Sequence, residues 1–143
     1  MYIRTIALIA VAGLAPAMLP ACLAQNRALH RVSRIQVTAM GSGEQARRFY
    51  SLLQVQLRKV GFEVAELAES SDATLTGEFT YEASGGHSSA RATVTLKSRD
   101  GKQLLWSGDY VSQHEGQENE DVVKTVAENC AEQLRKSWVK SEP

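Results

Sequence analysis

Residues 73–98, ATLTGEFTYEASGGHSSARATVTLKS, alternate apolar and polar side chains on both sides of a Gly-Gly pair. A period of two is typical of a strand that buries one face. If Gly85 and Gly86 form a two-residue turn, apolar side chains meet across the strands, with Tyr81 opposite Ala90, Phe79 opposite Ala92 and Leu75 opposite Leu96. A slip of one residue would turn one apolar set to water, so the stretch predicts a β-hairpin in a single register.

The tip of this hairpin reads SGGHSS over residues 84–89, which raises the alternative of a small catalytic loop. A turn gives both glycines a role, because its two central positions need positive φ. His87 then lies at the tip, and the sequence offers no obvious acidic partner of the kind that a catalytic triad needs. We predict the turn, and keep as an alternative a small exported hydrolase that uses His87 or His114.

A second hairpin is predicted directly after the first. Residues 99–101, Arg-Asp-Gly, fit a three-residue loop with glycine in the left-handed position. The resulting pairs are Leu96 with Leu104, Val94 with Trp106, Ala92 with Gly108 and Ala90 with Tyr110. On the polar face, Arg91 is predicted to oppose Asp109 as an exposed ion pair.

The polar sides of these strands form one predicted surface, rich in threonine. Such a sheet face is usually only solvated, and it is also where a partner docks. The candidate interaction face consists of Thr74, Thr76, Glu78, Thr80, Arg91, Thr93, Thr95 and Asp109.

The first half of the domain reads as strand, helix, strand. RIQVTA from Arg34 alternates like a strand, and Ser42 with Gln45 fits a capping box at a helix start. Gly61 provides the left-handed stop, and FEVAEL follows as a strand, so the unit predicts two parallel strands joined by a right-handed crossover. The apolar face of the helix is Ala46, Phe49, Tyr50, Leu53, Leu57 and Val60.

The last helix is predicted in VVKTVAENCAEQLRKSW, residues 122–138. Its apolar stripe holds Cys130, which we interpret as a packing residue without a disulfide partner. Upstream, His114, Glu115, Glu118 and Glu120 match no defined metal-ligand spacing, so no metal or cofactor is expected. The stripe consists of Val123, Val126, Ala127, Cys130, Leu134 and Trp138.

The element order β-α-β-β-β-α predicts an α+β two-layer sandwich. We expect a mixed sheet of about five strands with two helices on one face. Residues 34–140 are predicted to form this single domain.

Residues 1–24 have one early charge, Arg4, and a long apolar run, which is typical of a signal peptide. Pro16 and Pro20 disfavour the alternative, a retained membrane helix. Two processing sites stay open: a lipobox, Leu19-Pro20-Ala21-Cys22, with Cys22 lipidated, and ordinary cleavage before Gln25. Residues 25–33 are then a tether whose basic residues suit an anionic membrane, or a plain solvated leader.

Charge excludes one class of partner. Without residues 1–24 the chain has fifteen basic and sixteen acidic residues, a net charge of −1 with both signs interspersed. We therefore expect no nucleic-acid binding.

The export signal and four stretches resemble small bacterial envelope lipoprotein domains. The stretches are QLRKVGFEV, DATLTGEF, ARATVTLKSRDGKQLLWSGD and AENCAEQLRKSW. The groups are the LPS-assembly lipoprotein LptE, the penicillin-binding-protein activator LpoB, the curli-secretion lipoprotein CsgG and the amino-terminal domain of TolB. The resemblance implies docking to envelope proteins or lipids rather than catalysis.

The leading hypothesis is a non-enzymatic binding or assembly module of the cell envelope. It would be exported to the periplasm, with a lipid anchor in the outer membrane as one option and an envelope protein as partner. The alternatives are the small hydrolase described above and a carrier of a small apolar ligand between sheet and helices.

Overall fold

The structure, a computed structural model, describes residues 27–115 and 121–142. The predictions of a signal peptide and of lipidation at Cys22, and the question of Glu118 and Glu120 as metal ligands, fall outside these residues. Residues 27–30 are helical, and Ala68–Ser70 form a 3-10 turn. The main elements are β1 Arg34–Val37, α1 Glu44–Lys59, β2 Glu63–Ala65, β3 Ala73–Ser84, β4 His87–Ser98, β5 Leu104–Glu115 and α2 Val122–Lys140.

The five strands form one mixed sheet in the order β2-β1-β3-β4-β5. β1 is parallel to β2, as the predicted crossover unit requires, and it is also parallel to β3. The β3–β4 and β4–β5 pairs are antiparallel. Strand residues of one face join residues of both helices in a single core, among them Leu53, Leu75, Val94 and Val126. The predicted α+β two-layer sandwich is confirmed.

The first hairpin has the predicted register at every pair. Ser84 faces His87, Phe79 faces Ala92, and Leu75 faces Leu96. Gly85 and Gly86 have φ values of 56° and 79°, so both central positions of the turn are in the left-handed region. The prediction of a turn at residues 84–89 is confirmed.

The second hairpin differs from the prediction by two residues. Leu96 faces Trp106 rather than Leu104, and a bulge sets Lys97 opposite Leu104. The backbone N–H of Ser98 donates to the carbonyl of Gln103 at 2.8 Å, so the loop covers residues 99–103. The prediction assumed strict alternation after a three-residue loop, whereas a bulge adds a residue to one strand. Because the shift is even, apolar side chains still meet; the corrected pairs are Val94 with Gly108, Ala92 with Tyr110 and Ala90 with Ser112.

The two ends of α1 show one correction and one confirmation. The capping box of Ser42 and Gln45 is wrong, because Gly43, with φ of 98°, occupies the N-cap position and no side chain caps the helix. At the other end, Gly61 has φ of 105° and donates to Arg58, while Phe62 donates to Leu57. These two hydrogen bonds are a Schellman motif, which is the stop that the sequence predicted.

The core fills the space between the sheet and the helices. Side chains with 0% exposure come from the strands and from both helices, and Phe49 stacks on Phe79 with ring centroids 4.5 Å apart. Neither described helix is long and apolar enough to cross a membrane. The largest fully buried side chains include Phe49, Ile35, Leu53, Leu57, Leu75, Leu96 and Leu134.

The stretch predicted as a tether, residues 25–33, is partly a component of the core. Leu29 is 5% exposed and Val32 is 3% exposed. His30 stacks on Trp138 with ring centroids 4.4 Å apart, and Trp138 Nε1 donates to the Val32 carbonyl at 2.9 Å. The predicted boundary at Arg34 is therefore too late, because apolar residues hold the chain against α2 from Leu29 onward.

Candidate functional site

The eight residues of the candidate interaction face lie together on the sheet face opposite the helices. They alternate with core residues along β3, β4 and β5, and all eight are exposed or half-buried. We call this surface the outer face. It comprises Thr74, Thr76, Glu78, Thr80, Arg91, Thr93, Thr95 and Asp109.

Cross-strand hydrogen bonds fix several side chains of the outer face. The hydroxyls of Thr76 and Thr95, which are opposite each other, are 3.1 Å apart. The hydroxyl of Thr93 donates to Asp109 Oδ1 at 3.2 Å. Side chains that are already ordered would lose less rotamer freedom if a partner bound.

Arg91 and Asp109 form the predicted ion pair across a diagonal of the outer face. Arg91 Nε and Nη2 donate to the two carboxylate oxygens at 3.1 Å and 2.7 Å, while Thr93 occupies the position directly opposite Asp109. The hydrogen bonds from Arg91 lower the pKa of Asp109, and those to Asp109 raise the pKa of Arg91. The pair cancels its own charge and leaves a hydroxyl-rich surface.

The sequence prediction missed Val111, an exposed apolar residue of this surface. Val111 is 51% exposed and lies opposite Arg91, two residues beyond Asp109 on β5. Continued alternation from Asp109 was the signal that could have found it.

β5 is the last strand of the described sheet. It has 12 residues, and no strand among the described residues pairs with its far side. Lysine and proline, two residues that discourage pairing at sheet edges, do not occur in LLWSGDYVSQHE. The edge therefore offers backbone donors and acceptors next to Val111.

The two histidines proposed for a hydrolase lie on opposite faces of the sheet. His87 is on the outer side at the hairpin tip, and its Nδ1 is 3.8 Å from Oε1 of Glu115, a side chain that is 88% exposed. His114 pairs with Ser88 on the inner side. The hairpin does supply an acidic neighbour that the sequence analysis did not identify. Among the described residues, His87 and this carboxylate meet at the hairpin tip, where both side chains are open to solvent.

Cys130 lies in the core rather than at a surface site. Burial raises the pKa of its thiol to about 12, which keeps the thiol protonated at neutral pH. Burial, with a smaller contribution from Cys130, also raises the pKa of Tyr110 to about 12. The prediction of Cys130 as a packing residue is confirmed by its 0% exposure.

Described cavities lie at the rims of the sandwich rather than between its layers. One, of about 230 Å³, lies at the start of α1 beside Phe79 and Tyr81. Another, of about 340 Å³, lies between Arg31 and Arg99. Among residues 27–115 and 121–142, no group of three or more His, Cys, Asp and Glu residues is arranged to hold a metal ion.

No protein-family model matches the chain, and no curated protein matches it. Solved structures do match. The PelC dodecamer from Paraburkholderia phytofirmans has a TM-score of 0.58 at 13% identity, over 73% of this chain and 89% of that one. A DUF4136 family protein from Bacteroides thetaiotaomicron has a TM-score of 0.50 at 10% identity, over 77% and 90%.

A minor lipoprotein from Acinetobacter baumannii also matches, with a TM-score of 0.49 at 16% identity, over 76% of this chain and 95% of that one. At these identities the likeness is one of fold alone. The particular groups LptE, LpoB, CsgG and TolB stay predictions.

Proposed function

We propose that this chain is a non-enzymatic binding or assembly module of the bacterial cell envelope. It is exported to the periplasm, is tethered to the outer membrane through a lipid on Cys22, and docks an envelope protein on its outer face. One observation carries this proposal: the outer face is a continuous, ordered surface across three long strands, and neither described helix covers it.

The size of the outer face supports a partner that also contacts the edge of β5. Three strands of 12 residues at about 3.4 Å per residue and about 4.8 Å apart make a face of roughly 550 Å². A stable protein interface buries about 800 Å² on each partner. A partner that extends from the outer face over Val111 to the edge of β5 would bury the remaining area. Strand addition is a common way for a partner to bind such an edge.

The chemistry of the outer face favours a protein over an anionic polymer. Threonine side chains offer both a methyl group and a hydroxyl, while Arg91 is paired with Asp109. No array of unpaired cations exists on this surface, because Glu78 and Asp109 balance Lys97 and Arg91. Such a mixed neutral surface resembles the composition of ordinary protein–protein interfaces.

The test is a pair of substitutions to arginine on opposite layers of the sandwich. Thr93→Arg puts a bulky charge at the centre of the outer face, and Glu132→Arg puts the same side chain on the exposed side of α2. Both exported proteins should unfold at a temperature near that of the wild type. Chemical crosslinking in intact cells, followed by purification, should recover a partner with the wild type and Glu132→Arg.

Thr93→Arg should recover at most about a tenth as much partner, since a buried unpaired charge at an interface centre costs more than 1.4 kcal/mol. Equal recovery with both variants would contradict the proposal.

Self-assembly is a second candidate function. PelC, which shares the fold, forms a dodecamer, and the open edge of β5 provides a surface for a second copy. Native mass spectrometry of the exported protein distinguishes the two candidates. A defined oligomer that Val111→Arg dissociates supports self-assembly, and a monomer at all concentrations contradicts it.

The hydrolase alternative is tested by replacing both histidines. His87→Ala with His114→Ala should leave the cellular phenotype unchanged if the chain works by docking. Loss of the phenotype in a folded double variant would favour the enzyme.

A further inference from the structure

We infer that the end of the domain where the described chain begins is a docking surface for an anionic lipid membrane. That the domain lies beside a membrane at all rests on the proposed function. The inference goes beyond that function by assigning an orientation and a set of residues. The residues are Arg27, Arg31, Arg99, Lys102, Lys136 and Lys140, all exposed, and we call them the basic end.

The topology brings these residues to one end of the sandwich. β3 starts at this end and β4 finishes there, so the loop with Arg99 and Lys102 lies beside the start of β1. Arg31 and Arg99 line the same cavity of about 340 Å³. The result is a continuous surface drawn from the N-terminal segment and the β4–β5 loop.

The last turns of α2 complete the basic end. Trp106, near the start of β5, donates from Nε1 to the Ser137 hydroxyl at 3.1 Å, and Trp138 bonds the carbonyl of Val32. These contacts hold Lys136 and Lys140 beside the N-terminal segment. Val139, which is 49% exposed, adds an apolar side chain at the same place.

Six described carboxylates also lie at this end, and three of them have partners within the domain. Cations still outnumber them, because Arg34 and the last turn of α1, with Arg58 and Lys59, lie at this end too. Asp72 accepts hydrogen bonds from the backbone amides of Ser33 and Arg34. Asp100 accepts one from the hydroxyl of Ser98 and one from the backbone amide of Lys102. Glu63 is paired with Arg34. The remaining described acidic residues near this end are Glu66, Glu69 and Glu142.

The opposite end has the opposite character. The tip of the first hairpin, the end of β5 and the starts of both long helices lie at this opposite end, and they contain Glu44, Glu82, Glu115 and Asp121. Arg48 of α1 is paired with Asp121. Because its cations are concentrated at the basic end, the domain orients in the field of an anionic surface, although its net charge is close to zero.

The position of the chain start agrees with this orientation. Cys22, the predicted lipidation site, precedes Arg27 by five residues, which span at most about 18 Å when extended. A lipid on Cys22 therefore keeps the basic end within reach of the headgroups. Basic residues next to a lipid are a common second membrane signal, because a single acyl chain holds weakly.

The experiment measures flotation of the exported full-length protein with vesicles. One set of vesicles is equimolar phosphatidylglycerol and phosphatidylcholine, and the other is phosphatidylcholine alone. Arg99→Gln with Lys140→Gln removes two charges from the basic end, and Arg47→Gln with Lys124→Gln removes two charges elsewhere as the matched control. Each protein is also prepared with Cys22→Ser.

We expect the Cys22→Ser protein to bind anionic vesicles and to lose this binding at high salt. The double variant at the basic end should bind them about tenfold more weakly, and the control variant should change binding by less than about twofold. Equal binding to both vesicle types, equal loss in both double variants, or no binding at all would overturn the inference. If Cys22 carries no lipid, the wild type and Cys22→Ser will bind vesicles equally, and this result is separate from the effect of the basic-end variant.

Discussion

Gly77 lies in β3 opposite Val94, where the backbone of β4 comes closest to it. A Cβ atom added to Gly77 would overlap the carbonyl oxygen of Thr93 and lie 2.9 Å from Val94 Cα. Backbone atoms in the middle of a sheet cannot rotate away. We therefore expect Gly77→Ala to lower the free energy of unfolding by about 1–3 kcal/mol, measured by urea denaturation.

Gly108 provides the control for this prediction. The three atoms nearest to a Cβ atom there all belong to the side chain of Tyr110, which can move. Gly108→Ala should cost less than Gly77→Ala. The opposite order would show that the close approach of β3 and β4 is wrong.

Asp72 connects the start of β1 to the start of β3. Burial alone would raise its pKa, but hydrogen bonds from the amides of Ser33 and Arg34 outweigh burial, and the net pKa is below 3.8. A lowered pKa means that the carboxylate stabilises the fold above its unfolded pKa and stops doing so as the pH falls through its folded pKa.

Asp72→Asn should therefore be less stable than the wild type at pH 7 by about 1 kcal/mol. The difference should shrink as the pH falls below 3.8 towards the lowered folded pKa, and it should vanish once the carboxyl is protonated in the folded protein too. Thermal unfolding from neutral to acid pH measures this. A difference that stays constant with pH would exclude the carboxylate as its cause.

Cys130 gives a chemical test of burial. With a pKa near 12 and no exposed surface, its thiol should not react with a disulfide reagent at pH 8 in the folded protein. In urea the same thiol should react fully. Rapid reaction without denaturant would place Cys130 at a surface.

At the scale of elements, alternation and turn chemistry were enough to predict the first hairpin, including each of its pairs. They were not enough for the second hairpin, where the bulge leaves both Leu105 and Trp106 buried and Trp106 donates a hydrogen bond to Ser137 of α2. That is a tertiary effect, and it overrides local alternation. All eight predicted residues nevertheless lie on one face of the sheet, because an even shift keeps each side chain on its face.

The same distinction between local and tertiary effects explains which features near the helices the sequence predicted. Gly61 stops α1 through local hydrogen bonds, so the sequence predicts it. The packing of Leu29 and Val32 depends on Trp138, more than a hundred residues away in the chain, and no local pattern reports it. For the same reason the sequence indicated only the part of the basic end that contains Arg27 and Arg31, since three separate segments build it.

The first turn gives a prediction at this scale. Gly86 has φ of 79°, which a β-branched residue adopts only under strain. Gly86→Val should lower the free energy of unfolding by about 1–2 kcal/mol. Gly85→Asn, in contrast, should be near neutral, because Asn-Gly is the favoured pair in such turns. Chemical denaturation of the two variants compares them, and equal stability would contradict the turn type.

At the scale of the whole molecule, the domain presents three distinct surfaces. The helices cover one face of the sheet, the outer face is open, and the basic end lies where the chain enters the fold. If the basic end contacts the membrane, the strands of the outer face run away from the lipid surface. The outer face and the edge of β5 then remain accessible to a periplasmic partner.

The most direct test of the proposed function is site-specific photo-crosslinking in living cells. A photoreactive residue replaces Thr76 or Thr93 on the outer face, or Glu132 on the exposed side of α2 as the control. We predict that both outer-face positions crosslink to the same envelope protein, or to a second copy of this chain, and that position 132 does not. Crosslinks to that protein from position 132 alone, or equally from all three positions, would contradict docking on the outer face.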